Sequence, residues 1–340
     1  MVAGIDIGGA NTKVATSDGS FVKSIYAPLW RNKTILYDVL SDVKRGLEAE
    51  RKGIKAVGAV MTGELCGCFS TKTEGVLYIK RAVSNIFWDA KFFDNYCTFK
   101  DIPSVDKTPL SFAATNWLAS AKFLSEEHKN VIFVDIGSTT TDVIPIVNGE
   151  IKAKKTDFER LKCGEMIYSG VLRTGVPHLL KRIEIGGEEC RISSELFAIT
   201  ADAYLVLGYI TNDDYSCEKP YNYFANEEVK KGKKDKQRIS AMQRLARVVC
   251  SDLEETGEEG AVSIAEQVKE AQVDELVDSM KRMKAKYGLK KVVSAGIGDF
   301  IVEEAAESLN MKFLSLSSIY GKKVSAVFPA YAVAKLLETQ

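Results

Sequence analysis

Two stretches of this chain share one local grammar, and that grammar restricts the folds open to it. Asp6-Ile7-Gly8-Gly9-Ala10-Asn11-Thr12-Lys13 lies near the start, and Asp135-Ile136-Gly137-Ser138-Thr139-Thr140-Thr141-Asp142 near the middle. Each follows a short apolar run (residues 2–7 and 131–136) and precedes another (14–17 and 143–147). Strand, glycine turn, strand is the pattern of a β-hairpin. Glycine there admits positive φ and close approach of a ligand, while successive N–H groups and Ser/Thr hydroxyls point at an anion. One such turn is ordinary surface chemistry, because Asp and Gly dominate turns. Its repetition in equivalent settings argues for phosphate recognition.

The donors this reading assigns to phosphate are Gly8, Gly9, Asn11, Thr12, Gly137, Ser138, Thr139 and Thr140. Lys13 falls on the same strand face as Asn11 by the two-residue alternation, so it either reaches the anion or stands solvated. Asp6 and Asp135 precede the turns, where a carboxylate is badly placed for phosphate and well placed for the waters of a Mg²⁺ ion bridging phosphate oxygens. A third glycine turn, Ala295-Gly296-Ile297-Gly298-Asp299, follows the apolar run 291–294 and precedes the helical stretch 300–309. Free N–H groups at a helix start suit an anion or a nucleotide, with Gly296 and Gly298 as the candidates; a plain strand-to-helix connection is the alternative.

At 340 residues the chain suits two domains. Lys plus Arg and Asp plus Glu balance at 46 each, so no global field draws it to nucleic acid or an anionic membrane. The most apolar stretch, 197–210, carries Asp202 and is too short to span a bilayer. Seven cysteines without framework spacing, in a chain that opens on a strand pattern and not on a leader, predict a cytoplasmic protein without structural disulfides. Cys66-Gly67-Cys68 lacks the second pair or His that a tetrahedral zinc site needs, and His128 and His178 have no partner pattern.

The periodicity predicts strands at 2–7, 13–16 and 21–27, a helix over 35–50 and a buried strand at 56–61. A helix over 109–124 and strands at 131–135, 141–147 and 150–155 repeat the β-β-β-α-β grammar. Two helices around a hairpin at Gly186-Gly187 fill 164–210, and 236–287 is helical with a break near Gly257 and Gly260.

Paired phosphate hairpins and a late glycine turn resemble the superfamily of actin-like ATPases, sugar kinases and hydantoinase/oxoprolinase domains, over nearly the whole chain. The resemblance implies an α/β fold of two actin-like (ribonuclease H-like) domains with duplicated β-β-β-α-β cores and a central cleft. The domains expected are 1–125, with the first loop, and 126–340, with the second loop and a helical insertion over roughly 160–287, the C-terminal helix returning to the first domain. Met61-Thr62-Gly63-Glu64-Leu65-Cys66, residues 157–165, Thr200-Ala201-Asp202 and Arg244-Leu245-Ala246-Arg247 are similar to an archaeal hydantoinase A-like family. That resemblance implies a transferase of methanofuran biosynthesis in a methanogenic archaeon. It joins an aminomethyl-furanmethanol diphosphate to γ-glutamyltyramine as an aryl ether, releasing diphosphate, with Mg²⁺ and without ATP.

For that reaction the phenol must lose a proton, and Glu64 and Asp202 are the candidate bases. A turn or capping role is the alternative for Glu64, and pairing with a Lys or Arg the alternative for Asp202. Arg160, Lys162 and Arg173 are candidates for the substrate's carboxylates, or surface charges. The basic run 230–238 is a solvated loop or a lid over diphosphate. The partners expected are these small molecules, not nucleic acid or membrane, with homo-oligomer formation left open. An ATP-dependent small-molecule kinase of the pantothenate-kinase kind and a non-catalytic nucleotide-binding module on the same fold are the rival readings, the kinase favoured if the Gly296 turn holds adenine.

Overall fold

A computed structural model describes residues 1–50, 53–215 and 235–340. The basic run considered as a lid falls on 230–238, of which 230–234 lie outside the described residues. The described chain forms two compact units, one of Met1–Phe133, Ile144–Glu165 and Leu314–Gln340, the other of Val134–Val143 and Met166–Phe313.

The chain opens with β1 (Val2–Ile7), β2 (Asn11–Thr16), β3 (Val22–Tyr26), α1 (Ile35–Glu48), β4 (Ala56–Met61) and α2 (Lys72–Ile86). Next come β5 (Lys91–Phe93), β6 (Phe99–Asp101), α3 (Ile102–Lys107), a 3₁₀ turn (Pro109–Phe112) and α4 (Asn116–Glu127). Together β1 to β6 make a six-stranded sheet in the order β3-β2-β1-β4-β5-β6. β1 and β2 are antiparallel, and β1 and β4 parallel with Ile7 opposite Met61. Every residue of β1 is buried, as a central strand covered on both faces requires. Ala3, Ile5 and Ile7 pack with Leu36, Leu40 and Val43 of α1 and Val76, Ile79 and Val83 of α2.

The middle of the chain holds β7 (Val131–Ile136), β8 (Thr141–Val147), β9 (Glu150–Ile151), α5 (Asp157–Cys163), β10 (Met166–Ile167) and α6 (Val176–Leu179). The hairpin β11 (Arg182–Ile185) and β12 (Glu188–Arg191) turns at Gly186-Gly187, both at positive φ, and leads to α7 (Thr200–Leu207). Two long helices follow, α8 (Asp235–Arg247) and α9 (Leu253–Tyr287), then β13 (Lys291–Gly296), α10 (Asp299–Ser308) and β14 (Lys312–Ser315). The second sheet runs β10-β8-β7-β13-β14, with β9 on β8. Short helices α11 (Ser317–Tyr320) and α12 (Lys322–Ala326) lead to α13 (Phe328–Glu338), which lies in the first unit against β1. There a Cβ at Gly4 would stand 2.0 Å from the carbonyl oxygen of Ala330, so strand and helix meet backbone to backbone.

Three elements depart from the sequence reading. The strand expected at 150–155 stops at Ile151, because the next residues are mostly exposed lysines with no apolar alternation, and the edge beside β8 is shared with β10. The helix expected over 109–124 divides at Ala114, whose φ of +50° no α-helix tolerates, and restarts at Asn116. In the long helical stretch the chain breaks between Arg247 and Leu253, with Cys250 at φ +58°, and α9 kinks again at Gly257. The sequence reading also lacked α2 and the short strands β5 and β6.

Candidate functional site

The first unit carries the first turn. The Gly8 N–H donates to the Asn11 carbonyl at 3.0 Å, closing the hairpin between β1 and β2. The turn's carbonyls are tied inward: Ile7 O accepts from the N–H groups of Thr62 and Gly63, Gly9 O from Leu29 and Ala10 O from Ala27. Because peptides are planar and trans, the N–H following each bound carbonyl points the other way. The amides of Gly8, Ala10 and Asn11 are therefore oriented by their neighbours' bonds; that of Gly8 closes the turn. Asp6 is 3% exposed and pairs across the ladder with Lys13, which puts both side chains on one face. Asn11 and Thr12 are buried, while Gly8, Gly9 and Lys13 are half-buried.

The second unit repeats this arrangement. Gly137 N–H donates to Thr140 O at 3.0 Å. Gly137 O accepts from Val171 N–H at 3.0 Å, and Ser138 O from the N–H groups of Leu172 and Arg173 at 3.1 Å each. The N–H vectors of Ser138 and Thr139 thus point away from the strap formed by residues 169–173. Gly170 of that strap lies so close beneath the turn that a Cβ there would stand 2.6 Å from Thr139 N. Residues Gly137, Ser138, Thr139 and Thr140 are half-exposed, and Asp135 is buried.

The third turn packs against the second. Ile297 N–H donates to Ile136 O at 2.9 Å, as Thr62 and Gly63 do to Ile7 O. Gly296 has φ +92°, and a Cβ there would meet Ile136 O at 2.1 Å and Asp135 Oδ1 at 2.7 Å; at Gly298 it would meet the Ile136 side chain at 2.6 Å. Close approach to β7 accounts for both glycines.

Among the described residues no cluster of three His, Cys, Asp or Glu side chains forms a metal cage. Asp6 and Asp135, each a single buried carboxylate at a turn of amide donors, fit a Mg²⁺ ion that takes its other ligands from water and phosphate.

The two candidate bases differ. Asp202 Oδ1 accepts from Tyr215 Oη at 2.7 Å and from Arg244 Nε at 2.9 Å and Nη2, while Oδ2 accepts the Ile199 N–H at 3.1 Å. It is a helix-capping carboxylate in a buried ion pair, the arginine-paired alternative of the sequence reading. Glu64 stands in the loop after β4, 2% exposed, with its Oε2 lacking a hydrogen-bond partner among the described residues. Burial pushes its carboxyl up to about 7, helped by the nearby Asp157 charge and opposed by the N–H groups of Glu64 and Ala114 and by Lys72.

Of the candidates for substrate carboxylates, Arg160 is buried, ion-paired to Asp157 at 3.1 Å, bonded to Glu165 O and stacked 4.1 Å from the Trp117 ring centroid. Lys162 Nζ lies 3.8 Å from the Phe158 ring centroid, and Arg173 is half-buried on the strap beneath the second turn. Arg160 thus joins α5 to α4. The six described cysteines are free, and no described helix is long and apolar enough to cross a membrane.

Over 100% of this chain and 99% of its own, a ROK family glucokinase from Streptomyces griseus, solved in complex with glucose and AMPPNP, superposes with a TM-score of 0.50 at 12% identity. The fold is the two-domain α/β architecture of actin-like ATPases and sugar kinases. The sequence model of hydantoinase/oxoprolinase matches residues 55–340, and the chain belongs to that family. Two curated relatives carry the name (4-{4-[2-(gamma-L-glutamylamino)ethyl]phenoxymethyl}furan-2-yl)methanamine synthase. The protein of Methanocaldococcus jannaschii is 38% identical over 344 residues, covering 100% of this chain and 98% of the relative. That of Methanococcus vannielii is 38% identical over 225 residues, 65% of this chain and 96% of the relative.

Proposed function

We propose that this chain is an ether-forming synthase of methanofuran biosynthesis: a transferase that condenses an aminomethyl-furanmethanol diphosphate with γ-glutamyltyramine. The observation that carries this reading is 38% identity to the Methanocaldococcus synthase along the entire chain. In the reaction the phenol oxygen forms a bond to the furan-bearing methylene carbon. The bond from that carbon to the diphosphate oxygen breaks, and inorganic diphosphate leaves with the bonding pair.

The residues present suit each part of that exchange. Glu64 takes the phenolic proton on Oε2, the buried oxygen without a partner among the described residues, and its raised pKa near neutrality matches the task of a general base. The oriented amides of each hairpin turn can supply donors to a diphosphate, and fixed donors of this kind stabilise developing charge without reorganising. Asp6 and Asp135 would each hold Mg²⁺ through water or directly; the ion, when bound, neutralises charge on the departing diphosphate. Lys13, on the Asp6 face, adds a positive charge beside the first turn. Buried surroundings at Glu64 exclude water, which would otherwise capture the activated carbon. Lys162 is the candidate for the substrate's carboxylates: Arg160 is engaged within the fold, and Arg173 sits on the strap that carries the second turn. ATP has no part in this chemistry, and the free state of the six described cysteines suits a reducing cytoplasm.

The test is mass spectrometry of the purified protein with Mg²⁺, the diphosphate ester and γ-glutamyltyramine, beside a tube in which ATP replaces the ester. Ether product and free diphosphate in the first tube alone support the synthase. No ether in the first tube, with ADP formed in the second, would transfer the chain to the kinase reading.

A further inference from the structure

The second turn is held by a polar chain that starts deep inside the second unit. Gln272, in the middle of α9, is 4% exposed among apolar neighbours such as Val268, Val273 and Leu276. Its Oε1 accepts from the fully buried Tyr204 Oη at 2.5 Å. Its Nε2 donates to Gly170 O at 3.2 Å and to Ser169 Oγ. The strap is pinned further by Thr200 Oγ1, which donates to Gly170 O at 2.9 Å, and by Thr141 Oγ1, which donates to Ser169 O at 2.8 Å. From there the next three N–H groups, of Val171, Leu172 and Arg173, hold the carbonyls of Gly137 and Ser138. The path from Tyr204 to the turn is thus continuous, each step a hydrogen bond or the next residue of the strap.

A buried amide in a helix interior costs desolvation unless both of its ends are bonded, and an apolar side chain would fill the same space. Here the amide makes three bonds. Two go to the strap residues Ser169 and Gly170, and the second of these is the glycine against which Thr139 rests. The Gly170 carbonyl can only accept, so it holds Nε2 toward the strap and leaves Oε1 to accept from the Tyr204 hydroxyl.

We propose that Gln272 is a positioning residue for the second anion-binding turn: held by Tyr204, it sets the height of the 169–173 strap and thereby the direction in which the Ser138 and Thr139 N–H groups meet the substrate's diphosphate. The inference rests on the reading that this turn binds diphosphate. It predicts an effect confined to one substrate, because the other substrate does not depend on these amides.

The test is calorimetric binding of inorganic diphosphate with Mg²⁺ to the wild-type protein and to Gln272→Met, Gln272→Glu and Tyr204→Phe, each checked for folding by circular dichroism. Steady-state kinetics with both substrates accompany it. In Gln272→Met, diphosphate binding weakens by about tenfold or more, as small misplacement of preorganised groups does. KM for the diphosphate ester rises in step, and KM for γ-glutamyltyramine holds. Tyr204→Phe shifts the same quantities in the same direction by less, and Gln272→Glu, which loses the donation to Gly170 O, stands in if the Met variant does not fold. Folded Gln272 variants with wild-type diphosphate affinity, or with equal losses for both substrates, overturn the positioning role while leaving the turn's function intact. Failure of the wild-type protein itself to bind diphosphate overturns the reading of the turn, and the inference with it.

Discussion

Gly75 of α2 rests directly on the main chain of Glu64: a Cβ at position 75 would lie 2.1 Å from the Glu64 carbonyl oxygen and 2.6 Å from its Cα. The contact fixes the loop that presents the buried carboxyl. Exposed helix interiors gain about 1 kcal/mol when Gly becomes Ala. At this position the obstructing atoms are backbone, so the sign reverses. Gly75→Ala is expected to lower both the melting temperature and kcat. A thermal melt showing equal or higher stability, with kcat unchanged, would mean that the Glu64 loop is not set by this contact.

The Glu64 carboxyl gives a pH signature of its own. Its pKa of about 7 in the folded protein lies above the ordinary 4.5, so the folded form keeps a proton that the unfolded chain has lost. Stability is therefore highest below the unfolded value, declines as pH rises from 4.5 to about 7, and levels off above. The span corresponds to something on the order of 3 kcal/mol. Glu64→Gln should flatten that decline in urea melts taken across the range. As a base Glu64 must be ionised, so kcat/KM rises with pH up to about 7 in the wild-type protein, and the Gln variant loses roughly 10²- to 10⁴-fold in rate. A Gln variant with the wild-type pH–rate profile would assign the proton to another group.

The aspartates ahead of the turns are expected to act in turnover more than in folding. Asp6→Asn and Asp135→Asn should each lower kcat by about 10²- to 10³-fold, the scale of losing one preorganised electrostatic group. The Mg²⁺ concentration giving half-maximal rate should rise in both. Near-normal turnover at unchanged Mg²⁺ dependence would remove the metal role from these residues.

Asp202 predicts the opposite pattern. Arg244, 5% exposed, is bonded to it through two nitrogens, and Tyr215 and the first turn of α7 also rely on it. Removing one partner of a buried pair strands the other charge, which costs about 3–5 kcal/mol. Asp202→Ala should therefore unfold at markedly lower urea, with any folded fraction keeping the wild-type pH–rate profile. A folded variant of normal stability whose pH profile has lost its acid limb would make Asp202 the base.

How much of this was legible in the sequence depended on range. The turns at Gly8 and Gly137 were readable because their signals, an aspartate, glycines and flanking alternation, all sit within about ten residues. The break at Gly257 was readable for the same reason, whereas the one at Cys250 was not, since nothing in a cysteine announces positive φ. Helix α2 escaped because Thr73, Gly75 and Ser84 are weak helix formers, and its stability comes from burying Val76, Ile79 and Val83 in the core of the first unit. Asp202 was recognisable as buried from its apolar neighbours, but nothing in the sequence pairs it with Arg244, which lies on another helix. Glu64 appeared only as one of two candidates, because its burial depends on tertiary packing, including the segment at Ala114, that the residues around it do not announce. Gln272 and the strap at Gly170 were missed altogether: a polar residue in a long amphipathic helix is unremarkable until the helix is docked.

The central claim is the bond that forms. γ-Glutamyltyramine labelled with ¹⁸O at the phenol, incubated with the diphosphate ester, Mg²⁺ and no ATP, tests it in one mass spectrum. The account predicts an ether that retains the label, with one equivalent of unlabelled diphosphate released for each ether formed. An unlabelled ether, or diphosphate release without ether, would contradict it.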